Sequence, residues 1–354
     1  MAVYNLSRVN ILLVEDNVFV RNTIEDLLRQ FQFGQVSIAS SGEDAIEYLK
    51  TMNMAAQFGP DIIISDLVMS PINGMLLLRW VRSAKDSPNK MAPFIMLSGA
   101  ADEAYVSSSR DLGVTEFLAK PFSAESVYGR ILEIIDYPRQ FVTTQRYFGP
   151  DRRRNRDGES PDGKEKREKQ DKDVTIVYSS DKVVKPKGPS DVWYWRLPNS
   201  LHEKVSSGLE GAKVKGEIPT ALLEEAESSL ERAALDFTKW ALEYLSNLSD
   251  LCTEALMEPG RRSIHFGKIN SLALELRGQG GTFGYPLIST FGKMLFDATM
   301  EGCKEDDNAV EIVKAHIDAM RAVIREKISG DGGQVGRELL KGLEMSIERH
   351  KTVR

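Results

Sequence analysis

The stretch IIISDLVMSPING, residues 62–74, decides the fold of the first third of the chain. Its opening apolar run predicts a buried β-strand, and the run stops at the carboxylate of Asp66. A helical pattern begins at about residue 73, so a strand and a helix follow each other closely. Strands that alternate with helices in this way are typical of a parallel sheet, whose carboxyl edge is where ligands bind.

Three other apolar runs stop at polar residues in the same manner. The first stops at Glu15-Asp16, the second at Ser98 and the third at Lys120-Pro121. Because the carboxyl ends of parallel strands meet at one edge, we expect these side chains to lie beside Asp66. Three carboxylates and a lysine gathered there would make a site for a divalent cation and a phosphoryl group.

The alternation over residues 9–137 predicts an α/β fold, a doubly wound five-stranded parallel sheet of the flavodoxin-like type. This unit is assigned to residues 1–139 as the first domain. Strands are expected at 9–14, 35–39, 61–66, 94–98 and 116–119. Helices are expected at about 17–31, 42–54, 73–83, 103–112 and 123–137.

The composition limits the classes of protein to consider. A length of 354 residues suggests two domains, and no apolar stretch approaches the roughly 20 residues of a membrane span. The first ten residues lack the apolar core of a secretory signal, and two cysteines, Cys252 and Cys303, give no disulfide framework. We therefore expect a soluble, cytoplasmic protein, and the net charge of −6 argues against binding to nucleic acid.

The pattern breaks after residue 139. Residues 140–190 are predicted to be a charged, mostly disordered linker, because too few apolar residues are present to offset the chain entropy. The apolar run VTIVY at 174–178 is interpreted as either a transient strand or a docking peptide. Trp193-Tyr194-Trp195 marks the return of packable residues, and we expect it to pack onto the domain that follows.

Residues 191–354 are predicted to form an all-α helical bundle. A long amphipathic helix is expected from Pro219 to about residue 257, with further helices at 262–278, 284–301, 307–329 and 332–349. The expected core positions of the long helix are Leu222, Leu223, Ala226, Leu230, Ala233, Leu235, Trp240, Leu245 and Leu248.

Residues 8–137 resemble the receiver domain of two-component response regulators. The family usually has Met-Pro three and four residues after the acceptor, whereas here Met69-Ser70-Pro71 moves the proline by one position. The matched positions are the acidic pair Glu15-Asp16, the acceptor Asp66, Gly74 after the acceptor loop, the hydroxyl residue Ser98, the aromatic Phe117 and Lys120.

The resemblance implies a phosphorylation site with Mg²⁺ as its cofactor. Asp66 would be the nucleophile that forms an aspartyl phosphate, while Ser98 and Lys120 would contact the phosphoryl oxygens. The metal ligands would be Glu15, Asp16, Asp66 and the backbone carbonyl of Val68.

The resemblance also implies a switch. Ser98 and Phe117 would move when the phosphoryl group arrives and shift an equilibrium at the face of the fourth predicted helix and the fifth strand. Such a domain would be no enzyme beyond the Mg²⁺-dependent phosphorylation and dephosphorylation of its own aspartate.

A second resemblance lies in the predicted bundle. Leu274-Glu-Leu-Arg-Gly278 and the glycine-rich residues that follow resemble the central helix of histidine-containing phosphotransfer (HPt) domains, whose motif runs His-x-Leu-Lys/Arg-Gly. The family's histidine falls on Leu274, which cannot accept a phosphoryl group. Leu274, Arg277 and Gly278 are interpreted either as a retained docking face or as residues of the core and of close helix packing. His265 is expected to be a surface or packing residue.

These features together predict a bacterial-type response regulator. A sensor histidine kinase or an HPt protein would phosphorylate Asp66, and the HPt-like domain would signal through contact with an unknown downstream protein. A homodimer is left open. One alternative is a phosphorelay intermediate that passes phosphate onward. Leu274 at the position of the family's histidine argues against it. Another is a transcriptional regulator, for which no recognition-helix pattern is visible.

Overall fold

A computed structural model describes most of the chain, which forms two compact units with their main boundary after Ala226. The first unit contains two β-sheets and the second contains the C-terminal helices. The described residues are 3–55, 59–98, 108–152, 174–178, 186, 191–206, 216–217 and 219–352.

The first sheet has the strand order β2-β1-β3-β4-β5. β1 pairs in parallel with β2 and β3, and β3 pairs in parallel with β4. Every residue of β3 and β4 is buried, as expected for inner strands of a sheet that is covered on both faces. The strands are β1 (Asn10–Val14), β2 (Gln35–Ala39), β3 (Ile62–Asp66), β4 (Phe94–Ser98) and β5 (Glu116–Ala119).

Four helices accompany this sheet, and each begins at a polar capping residue. The cap side chains of Asn17, Ser41, Asn73 and Ser123 accept hydrogen bonds from backbone N–H groups of the first helical turn. The helices are α1 (Val18–Gln30), α2 (Gly42–Met54), α3 (Gly74–Ser83) and α4 (Ala124–Asp136). Residues 108–111 are also helical, and the rest of the helix predicted before β5 lies mainly outside the described residues.

The predicted fold class is confirmed. The five observed strands lie within one residue of the five predicted ones, and the four helices agree equally well. Agreement is close at β1, β3 and β4 because these strands are short apolar runs that stop abruptly at polar residues.

A second sheet lies where the sequence predicts a disordered linker. Its order is β7-β6-β9-β8, with β6 antiparallel to β7 and β9, and β8 parallel to β9. The linker prediction is therefore wrong at 141–150, because strand pairing over long sequence distances stabilises segments too short to show a pattern. The strand at 174–177 agrees with one of the two interpretations of the apolar run VTIVY. The strands are β6 (Phe141–Thr143), β7 (Phe148–Pro150), β8 (Val174–Val177) and β9 (Val192–Trp195).

The tryptophan pair belongs to this second sheet. Trp193 and Trp195 form a buried cluster with Phe141 and Val177, and Met91 packs against it. The prediction that these aromatic residues pack onto the helical bundle is therefore wrong. They lie with α5 (Ser200–Ser206) in the first compact unit, which extends past the predicted domain boundary at residue 191.

The second unit is helical, as predicted. α7 packs against α8, α8 against α9, and α9 against α10. None of the helices in the described part of the chain has the length and apolar character that a membrane-spanning segment needs. The helices are α6 (Thr220–Met257), α7 (Arg262–Gln279), α8 (Pro286–Ala298), α9 (Asp307–Arg325) and α10 (Gly333–Thr352).

The buried face of α6 differs from the predicted one at Leu235, which is 70% exposed. Phe237 and Ala241, which were not predicted, are buried together with the predicted Leu245 at intervals of four residues. Because a position two residues away lies on nearly the opposite side of a helix, Leu235 cannot share their face.

The packing of Trp195 predicts its contribution to the second sheet. Trp195 is buried and its Nε1 donates to Thr143 Oγ1 at 2.6 Å. Trp195→Ala should lower the free energy of opening of the second sheet by about 3–5 kcal/mol, the usual cost of truncating a buried aromatic residue. Hydrogen exchange of the β6 and β9 amides would measure it. Tyr178→Ala, at a 67% exposed residue beside β8, is the control, and equal losses in both variants would contradict this packing.

Candidate functional site

Three carboxylates converge at one edge of the first sheet. Carboxylate oxygens of Glu15, Asp16 and Asp66 all lie within 4.8 Å of one another. Glu15 and Asp16 directly follow β1, Asp66 ends β3, and β1 and β3 are hydrogen-bonded neighbours. The structure therefore brings together the three acidic residues that the sequence singles out.

The burial of these carboxylates makes the cluster suited to a cation. Glu15 is 2% exposed and Asp66 is 4% exposed, whereas Asp16 is open to solvent. Neighbouring like charges that are partly withdrawn from water repel each other, and an opposite charge relieves that repulsion. Oxygen donors of this kind are the ligands that Mg²⁺ prefers, so these residues fit that ion.

Asn17 positions Glu15 of the acidic pair, a role that the sequence did not predict. Its backbone N–H donates to Glu15 Oε1 at 3.3 Å, and its side chain accepts from the N–H groups of Phe19 and Val20. The start of α1 and the orientation of Glu15 are thus fixed by one residue. The signal in the sequence is an asparagine directly before an amphipathic helix, which is typical of an N-cap.

The loop after Asp66 is held close to the sheet by Gly74. Leu67 N–H donates to Leu97 O, and Gly74 N–H donates to Leu67 O, both at 3.1 Å. A Cβ at position 74 would lie 2.2 Å from Asp66 O and 2.7 Å from Met96 Sδ. Only glycine therefore allows α3 to begin this close to the end of β3.

The remaining predicted site residues lie at the ends of β3, β4 and β5. Ser98 is the last residue of β4, Lys120 directly follows β5, and both side chains are buried. Val68 is half-buried in the loop after Asp66. Phe117 is half-buried on β5, where it packs against the core of the first sheet.

The residues of the HPt-like motif lie on α7 and directly after it. Two of its glycines, Gly278 and Gly280, have different surroundings. Gly280 is required by packing, because a Cβ there would lie 2.6 Å from Ile288 Cβ. A Cβ at Gly278 would meet no atom within 4 Å. Leu274 and Arg277 are half-buried on the same helix. Close helix packing therefore explains Gly280 but does not explain Gly278.

His265 lies in a packing environment on α7. It is buried, with Nδ1 3.2 Å from the Glu254 carboxylate and Nε2 3.5 Å from the Glu258 carboxylate. Both ring nitrogens therefore face carboxylates near the corner between α6 and α7.

Comparison with known proteins identifies the family. A family model described as the response regulator receiver domain matches residues 11–132. The chain is 33% identical over 125 residues to the "Probable chemotaxis protein CheY" of Rhizobium etli, covering 35% of this chain and 90% of that protein. The chain belongs to the response regulator receiver family. The "Chemotaxis protein CheY" of Bacillus subtilis is 29% identical over 126 residues, covering 36% of this chain and 93% of that protein.

Among solved structures, the chain is similar to the receiver domain of a sensor histidine kinase from Pseudomonas aeruginosa, solved with a magnesium ion coordinated in its active-site cleft. The identity is 27%, the match covers 35% of this chain and 93% of that chain, and the TM-score is 0.30. Receiver domains bind Mg²⁺ in an acidic pocket, and Glu15, Asp16 and Asp66 form an acidic cluster here. The family model does not extend to α7, so the HPt-like character of that helix stays a prediction.

The close approach at Gly74 predicts the effect of enlarging it. Gly74→Ala should destabilise the first unit by about 1–3 kcal/mol, the usual cost of overpacking, because the added methyl group overlaps the Asp66 carbonyl. Gly129→Ala on α4 is the matched control, since nothing lies within 4 Å of a Cβ there. Urea unfolding followed by circular dichroism would measure both. A Gly74→Ala protein as stable as the Gly129→Ala protein would contradict the geometry.

Proposed function

We propose that this chain is a response regulator in which Asp66 accepts a phosphoryl group from a sensor histidine kinase or an HPt protein. The observation that carries the proposal is the cluster of three carboxylates within 4.8 Å of one another at the carboxyl edge of a parallel sheet. Asp66 is the member that ends the fully buried strand β3. Membership of the receiver family supports the same assignment.

In the proposed reaction a carboxylate oxygen of Asp66 attacks the phosphorus atom of a phosphohistidine. A new O–P bond forms, the N–P bond of the donor breaks, and its imidazole leaves and takes up a proton. Mg²⁺ bound by Glu15, Asp16, Asp66 and the Val68 carbonyl would neutralise charge on the phosphoryl oxygens. Lys120 would pair with those oxygens. The reaction modifies only the protein's own aspartate, so we do not class the chain as an enzyme.

Ser98 and Phe117 form the proposed switch. Ser98 would donate a hydrogen bond to the phosphoryl group, and Phe117 would turn further into the core in response. The half-buried position of Phe117 against the core of the first sheet supports this role, because the ring already contacts apolar neighbours.

Replacement of the acceptor tests the proposed reaction. Asp66→Ala should abolish labelling of the full chain by radioactive acetyl phosphate and Mg²⁺, and the fold should persist because a small side chain replaces one at the end of a strand. Asp86→Ala, at an exposed position outside the carboxylate cluster, should label like the unmodified protein. Circular dichroism would check the fold. Retained label on the Asp66→Ala protein would overturn the assignment.

We propose that the C-terminal helical unit, from Glu227 onward, gives the output through protein contact. Leu274, Arg277 and Gly278 would form the docking face for the downstream protein. Support comes from Gly278, whose missing side chain serves no packing contact within the described residues. A glycine on an open helix face lets a partner's backbone approach closely. Whether two copies of the chain associate is left open.

An introduced histidine tests the HPt-like character of α7. If Leu274 occupies the acceptor position, Leu274→His should gain an acid-labile, base-stable label when the full chain is incubated with acetyl phosphate. That label should disappear when Asp66→Ala is combined with it, because the aspartyl phosphate is its source. Ser271→His, at an exposed position one turn earlier, is the matched control. Equal label in both histidine variants, or none in either, would contradict the resemblance.

The two alternatives make different predictions. A phosphorelay intermediate needs an accessible histidine. His265 and His316 are buried, whereas His350 on α10 is half-buried, so label on His350 would favour this alternative. A transcriptional regulator would bind duplex DNA with an affinity that falls steeply with salt, which a gel-shift titration would reveal. We propose a cytoplasmic location, which the two free cysteines, Cys252 and Cys303, support.

A further inference from the structure

Three arginines hold the turn that leads into β5, residues 111–115. Arg82, near the end of α3, donates from Nε to Gly113 O at 3.0 Å. Arg139, just before β6, donates to Thr115 O at 3.0 Å. Arg152, just after β7, forms an ion pair with Asp111 at 2.9 Å. We call these three residues the arginine clamp.

Arg82 is the buried member of the clamp. It is 4% exposed, and it also donates to the carbonyl oxygens of Lys90 and Ala92 at 2.8 Å. Burial lowers the pKa of its guanidinium group to about 9. The same group lies 5.2 Å from the centre of the Phe141 ring on β6. One side chain of α3 thus contacts the loop before β4, the β5 turn and the second sheet.

The backbone of β7 lies directly against the same turn. Gly113 has φ +91°, a conformation that favours glycine, and a Cβ there would lie 3.1 Å from Gly149 Cα and from Phe148 O. The hairpin β6–β7 is therefore attached to the turn at three points. Arg139 ties its start to Thr115, Arg152 ties its end to Asp111, and backbone contact joins its second strand to Gly113.

We propose that the hairpin β6–β7 reads the phosphorylation state of Asp66 through the arginine clamp, an inference that rests on the proposed function. β5 carries Phe117 of the proposed switch, and Thr115 is the residue directly before β5. A displacement of β5 changes the positions of the Thr115 and Gly113 carbonyl oxygens. Arg139 and Arg152 of the clamp pass that displacement to the two ends of the hairpin, because they flank its two strands.

The competing explanation is that the clamp is static packing that holds the second sheet in place. The two explanations differ in what phosphorylation does to the hairpin. A static clamp predicts no change in hydrogen exchange at residues 141–150 when Asp66 is phosphorylated. A coupled clamp predicts a change there that depends on Arg139 and Arg152.

The test is hydrogen exchange of the full chain with and without acetyl phosphate and Mg²⁺, with label on Asp66 measured in the same samples. The unmodified chain should change its exchange rate at residues 141–150. In the double variant Arg139→Gln, Arg152→Gln that change should fall about fivefold, a typical size for lost coupling, while Asp66 labels normally. Arg146→Gln, an exposed arginine between the same two strands, is the matched control and should behave like the unmodified chain.

A second variant shows whether a reduced change in the double variant results from lost coupling or from misfolding. Asp111→Asn removes only the carboxylate partner of Arg152 at an exposed position, and it should also reduce the change at 141–150. Full label on Asp66 with no change at 141–150 in the unmodified chain would overturn the inference and leave the proposed function intact. An equal change in the double variant and the Arg146→Gln control would do the same. Absence of label on Asp66 would overturn the proposed function, and the inference with it.

Discussion

The convergence of three carboxylates at one sheet edge is the constraint on which the candidate site of the first unit depends. A strand buried on both faces, such as β3, offers a polar group to ligands only at its end, and parallel pairing brings the ends of β1 and β3 together. The result concentrates negative charge at Glu15, Asp16 and Asp66. The surrounding backbone accordingly fixes it, through Asn17 on one side and Gly74 on the other.

The turn at the amino end of β5 contacts a positive charge, in contrast to the acidic ends of β1 and β3. There the charge is the guanidinium of Arg82, which is solvated by backbone carbonyls and the Phe141 ring in place of water. β5 joins this end to the one that carries Lys120, and its four residues span only about 13 Å at the usual rise per residue. Under the proposed coupling, a displacement at the carboxyl end of β5 would need to travel only this short distance to reach the clamped turn.

How much of this could be predicted from sequence depends on the range of the contacts. The first sheet was predictable because its inner strands are apolar runs that end at polar residues, as at Asp66 and Ser98. The second sheet was not, because β6 pairs with β9 about fifty residues away and each has only three or four residues. The exposed position of Leu235 was missed for a related reason. Leucine is apolar wherever it lies, and only the positions of Phe237 and Ala241 fix the helix face.

The glycines of the HPt-like motif have different surroundings, so the structure gives different reasons for each of them. The motif contains several small residues, and any of them could serve helix packing alone. Gly280 does so, since Ile288 leaves no room for a side chain, and Gly278 does not. Leu274 stands where the family has its histidine and cannot accept a phosphoryl group, whereas packing within the described residues does not account for the glycine one turn later. Under the proposed function, that open position would let a partner approach the helix face closely.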